Sequence, residues 1–169
     1  MLIWISRGSS MRVEARSYFD MVVQPACSDF LAKPWLFHLG VLALVATHHM
    51  VDYWFVEEYQ GPVCRKAMAE GMKSVRAGLV SEHPDLEVLA DAADAAKHGR
   101  LGAIKARSRH LDGVDQLRVT PSLFNAPFGQ GVFAEAVDIY FDSADGRRVG
   151  VRGLIKSALE FWRCKLADS

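Results

Sequence analysis

Residues 34–59, PWLFHLGVLALVATHHMVDYWFVEEY, decide the fold. Pro34 suits the first position of a helix, where its missing N–H costs nothing, and Gly61-Pro62 closes the segment. From Trp35 to Ala46 the run is apolar on nearly every face apart from His38, the pattern of a helix at the centre of a core. That run is about twelve residues, against the roughly twenty needed to cross a bilayer, so no membrane span is expected. From Thr47 onward the segment turns amphipathic and carries His48, His49 and Asp52.

Outward from this helix, Ser9 and Ser10 offer an N-cap for a first helix from about Ser10 to Ala32, which Pro25 should kink or split. A third helix is expected over about Pro62–Val80. A fourth starts at Pro84, reads PDLEVLADAADAAKH and stops at Gly99. Beyond it Gly and Pro recur, and the periodicity falls toward two. QLRVTPSLF reads as a strand interrupted at Pro121. VFAEAVDIYF alternates, with Phe133, Val137, Ile139 and Phe141 on one face, and DSADGRRVGV gives a turn at Gly146 and a return strand. An amphipathic helix over about Leu154–Leu166 should bury Ala158, Phe161 and Trp162. The expected class is mainly α: a bundle of four N-terminal helices, a small antiparallel β-hairpin or sheet, and a C-terminal helix. One domain covers 11–169, with the β appendage at about 115–152. Residues 1–10 read as an N-terminal extension ahead of Met11, without the basic flank of a signal peptide or the length of an anchor.

The 169 residues are half hydrophobic, which excludes a disordered chain, and 20 Lys plus Arg against 20 Asp plus Glu leave no global field for a polyanion. A charged partner must therefore be met by a local patch. Cys27, Cys64 and Cys164 have neither zinc-finger nor Cys-x-x-Cys spacing, so buried free thiols in a reducing cytoplasm are expected. Nucleotide loop, nucleophile elbow and complete metal signature are all absent, and no cofactor or resident metal is expected.

At 100° per residue, Glu87, Asp91, Asp94 and His98 fall within about a 60° arc of the fourth helix, away from Leu86, Leu89, Ala93 and Ala96. Carboxylate and imidazole at i and i+4 can set each other's pKa or share an ion, while the same stripe is also what a solvated face looks like. On the second helix, His48 or His49 can meet Asp52, a pairing that orients an imidazole. If the two helices are neighbours, His49, Asp52, Asp91, Asp94, Lys97 and His98 converge as candidate catalytic residues. Cys64 beside Arg65 and Lys66 reads as a plain buried or half-buried thiol. Acids dominate from Glu82 to Asp94, and cations alone follow from Lys97 to His110. Arg100, Lys105, Arg107 and Arg109 are the candidate nucleic-acid-binding residues of that loop.

The stretches HHMVDYWF, HPDLEVLADAADAAKHGRL, the ADGRR turn and the final LEFWR together resemble a group of bacterial proteins of unassigned function over about Met11–Leu166. The helical half also resembles the HEPN superfamily, cytosolic helical bundles that often dimerise and include toxins, phage-defence proteins and RNases. HEPN ribonucleases carry an Arg, four to six residues and then a His, and Arg76 to His83 matches that spacing. The resemblance implies a homodimer acting on RNA without metal, an Arg binding the scissile phosphate. His98 or His83 would then carry protons, helped by Lys97, Arg100 or Arg76. Two other readings stand beside it: a non-catalytic module with a protein partner, and a metal-dependent helical-bundle enzyme using His49, Asp52, Asp91, Asp94 and His98.

Overall fold

A computed structural model describes residues 14–99, 110–120 and 138–168. The extension 1–10, the basic residues Arg100, Lys105, Arg107 and Arg109, and the strand positions Phe133 and Val137 lie outside the described residues.

The 34–59 stretch forms α3 (Phe37–Glu58), against which α1 (Ala15–Tyr18), α2 (Gln24–Ala32), α4 (Arg65–Glu82), α5 (Asp85–His98) and α6 (Val151–Ala167) all pack. By length and composition α3 is apolar enough to span a membrane, but 56% of its most apolar window is buried inside the protein. It behaves as the core helix expected from its all-round apolar start.

The N-terminal limb lies along α3. Phe30 reaches Gly40, where a Cβ would sit 3.2 Å from the Phe30 ring and overlap the Ile139 side chain. Cys27 Sγ lies 3.3 Å from Thr47 Oγ1, and Tyr18 donates its hydroxyl to the Ala46 carbonyl at 3.2 Å while stacking on Tyr53. The helix is divided ahead of Pro25, where a π-helical segment, Phe19–Val23, joins α1 to α2. Pro25 has no N–H, and its ring clashes with the carbonyl four residues back, so the widened turn ahead of it absorbs the defect.

The fourth helix of the sequence reading is α5, and Gly99 stops it with φ +71°, a conformation open to glycine. β1 (Arg118–Val119), β2 (Ile139–Asp142) and β3 (Arg148–Gly150) form an antiparallel sheet in the order β1-β2-β3, turning at Gly146 with φ +81°. Ile139 and Phe141 point into the core, as the alternation required. α6 follows β3 directly. Asp138 secures the junction by accepting N–H bonds from Ile139 (2.8 Å) and Arg152 (3.2 Å) in the first turn of α6. Val151, Leu154, Ile155, Ala158, Leu159, Trp162 and Leu166 form the buried face of α6, and Phe161 is half-buried beside it. The molecule is mainly α with a small antiparallel sheet.

The cysteines correct one expectation. Cys27 is buried, and burial pushes its thiol up to about 11, but Cys64 and Cys164 are exposed. Cys64 precedes α4 in a surface turn, and Cys164 falls outside the spacing that faces α6 inward.

Candidate functional site

The ionisable groups of α3 and α5 turn toward each other. His48 Nε2 lies 3.8 Å from Asp94 Oδ1, and the Lys97 ammonium, which can only donate, bonds His49 Nε2 at 2.8 Å. His49 therefore accepts at Nε2 and carries its ring proton on Nδ1. Successive residues of one helix thus clasp positions 94 and 97 of another, which lie on one side of α5 because they are three apart.

His48 is buried, and its pKa is lowered to about 4. Burial is the largest cause, the cationic Lys97 adds to it, and Asp94 opposes it. The imidazole is neutral at physiological pH.

Asp52 lies near enough to His48 to act on its charge but makes no hydrogen bond or ion pair with either histidine among the described residues. Its Oδ1 takes a hydrogen bond from the Arg76 guanidinium at 3.0 Å, because α4 crosses α3 at that level. This corrects the imidazole–carboxylate pairing expected within α3.

Between α3, α4 and α5 opens a cleft of about 640 Å³. His48 and Val51 form its base, Met72, Lys73, Arg76 and Val80 line the α4 wall, and Leu86, Glu87 and Asp94 line the α5 wall. It stays open because α4 packs loosely: Leu79 is its one buried residue among those described. Near Gly71 the backbone of α4 comes so close to the Tyr59 and Phe55 rings that a Cβ would sit 2.6 Å and 3.1 Å from them.

Two of the expected site residues stand apart. His98 is exposed and makes no hydrogen bond or ion pair among the described residues. Asp91 is fully buried and accepts the backbone N–H of His110 at 2.9 Å, and the His110 ring bonds Ser143 at 2.9 Å. Asp91 therefore fastens α5 to the chain leading into the sheet. Asp91→Ala leaves that half-buried N–H without its carboxylate and is expected to cost about 1–3 kcal/mol in thermal unfolding, with faster hydrogen exchange at the His110 amide. An unchanged exchange rate would deny the tie.

Arg76 and His83 point to different neighbours. His83 Nε2 lies 2.9 Å from Ser157 Oγ on α6, Ser157 donates to Asp85 Oδ2 at 2.6 Å, and the His83 ring stacks on Phe161. In a nucleophilic triad the carboxylate holds the far ring nitrogen. Here Asp85 lies 4.0 Å from the same Nε2 that faces the serine, so the cluster ties the α4–α5 turn to α6. Among the described residues no group of three or more His, Cys, Asp or Glu side chains is arranged to hold a metal ion, and His49, Asp52, Asp91, Asp94 and His98 are dispersed over several contacts.

Sequence reasoning did not single out His48 as the partner of α5 or the α4 face as a wall. The signal was present: Ala69, Met72, Lys73, Arg76, Ala77 and Val80 recur at three and four residues along α4. No family model matches the chain, and neither a curated protein nor a solved structure matches it.

Proposed function

We propose that the protein is a HEPN-like cytoplasmic protein of the defence or toxin kind that binds an RNA strand in the α3–α4–α5 cleft and cleaves it by metal-free acid–base chemistry. The observation that carries this reading is the cleft itself, where a buried neutral imidazole, His48, shares one space with Lys73 and Arg76. The cations hold a phosphate, and a phosphate held beside His48 adds an opposite charge that raises its proton affinity. His48 takes the proton of the 2′-hydroxyl, and the 2′-oxygen attacks the adjacent phosphorus. The 5′-oxygen leaves with a proton drawn from solvent at the open cleft, and a 2′,3′-cyclic phosphate remains. The exposed thiols Cys64 and Cys164 support a reducing compartment.

RNA cleavage with and without EDTA tests this reading. Activity is expected to persist in chelator, to fall about 100-fold or more in His48→Gln, and to be unchanged in His98→Ala. Loss of activity to chelator transfers the chemistry to a metal, and absence of RNA binding removes the reading.

A second reading, an interaction module working as a homodimer or with another protein, is favoured by the outer face of α3. Phe37 (37% exposed) and Leu42 (56% exposed) lie on that face with Val41 and Val45, and Trp35 (49% exposed) precedes them. Sedimentation equilibrium is expected to show a dimer that Leu42→Glu dissociates. A monomer at every concentration would remove the homodimer.

A further inference from the structure

The charges of the cleft are sorted by wall. Lys73 and Arg76 stand on the α4 side, Glu87 and Asp94 on the α5 side, and Val51, Met72 and Leu86 lie between as apolar surface. Arg76 is engaged by Asp52, and Asp94 lies near His48, but Lys73 and Glu87 make no hydrogen bond or ion pair among the described residues. The ligand that completes such a site is anionic at one end, flat and part-apolar in the middle, and rich in N–H donors at the other end. A volume of about 640 Å³ falls in the range of about 300–1,000 Å³ that holds one small ligand.

A carboxylate accepts and never donates. Among the four bases, guanine alone presents two adjacent donors, N1–H and the N2 amino group, to a carboxylate. Adenine and cytosine pair one amino group with a ring-nitrogen acceptor that repels it, and uracil sets its single N–H between two carbonyls. We propose that the cleft selects guanine: a guanine nucleotide lies over Val51, Met72 and Leu86, its phosphate on Lys73 and Arg76 and its N1–H and N2 amino edge on the Glu87 carboxylate. This rests on the reading of the cleft as the RNA site and adds which base it takes.

Calorimetric titration of the full chain with GMP, AMP, CMP, UMP and inorganic phosphate tests it, beside oligoribonucleotides with and without guanine. GMP is expected to bind at least about tenfold more tightly than AMP. Glu87→Gln removes that preference, because it weakens GMP and relieves the repulsion of the adenine ring nitrogen, and Lys73→Ala weakens every nucleotide alike. Both side chains stand on an open wall, and unfolding midpoints equal to wild type verify that the variants fold. Equal binding of the four nucleotides, a guanine preference that survives Glu87→Gln, or phosphate binding as tightly as GMP each overturns the proposal. Oligonucleotides bound alike with and without guanine overturn it and leave the RNA reading intact. GMP bound with no RNA binding supports the guanine site and overturns the strand reading alone.

Discussion

Trp162→Ala is expected to lower the unfolding free energy by about 3–5 kcal/mol, since Trp162 is the largest fully buried side chain among the described residues. Trp162 is fully buried on α6, tilted against Trp54 at 6.1 Å and set edge-on to Phe161 at 5.2 Å. Truncation removes the indole and leaves a cavity bounded by α3 and α6, whose helices cannot collapse into it without losing their other contacts. Trp162→Phe separates volume from polarity. The indole Nε1 is buried and has no hydrogen-bond partner among the described residues, so Phe gives up some volume but also removes an unpaired donor. The two changes oppose each other, and the net cost is expected to stay below about 1.5 kcal/mol. Urea unfolding with unchanged m-values measures both. A cost below about 1 kcal/mol for the alanine variant would mean that α6 does not pack on the core through this ring.

Acid is expected to separate wild type from His48→Gln by about 3 kcal/mol. The folded-state pKa of His48, about 4, lies below the ordinary value of 6.5. Above pH 6.5 the imidazole is neutral in both states and contributes no pH dependence. Between pH 6.5 and about 4 the unfolded chain binds a proton that the folded protein refuses, so stability falls by about 1.4 kcal/mol per pH unit. Below about 4 both states are protonated and this loss stops growing. Gln cannot titrate, so the stability difference between the two proteins is expected to move in favour of the variant across that window, by chemical unfolding at fixed pH steps. Parallel curves would show that His48 titrates alike in both states, and so is not buried between α3 and α5.

Much of the architecture was legible because single residues carried the local instructions. Pro34, Gly61, Pro84 and Gly99 bracket α3 and α5, and the alternation at Ile139 and Phe141 set the inward face of β2. The π-helical segment was not legible, since Pro25 demands relief without saying whether a bend or a widened turn supplies it. For the site, the polar stripes of α3 and α5 were legible, but that the two helices are neighbours was a condition the sequence left open and the packing supplies. Which atoms meet did not follow. His48 and His49 differ by 100° around the helix, and only the packing of α5 decides that one faces Asp94 while the other takes Lys97. Asp91 shared the arc of Asp94 on α5, but it was claimed by the backbone of His110, a partner 19 residues away that no local pattern announces.

The measurement that reaches the central claim most directly is an amide and imidazole chemical-shift titration of the full chain with a short single-stranded RNA. The account predicts that the perturbed signals cluster on the three helices around the cleft, at His48, Lys73, Arg76, Glu87 and Asp94, and leave His98 and the His83–Ser157 contact unmoved. Perturbations gathered elsewhere, or none at saturating RNA, would contradict it.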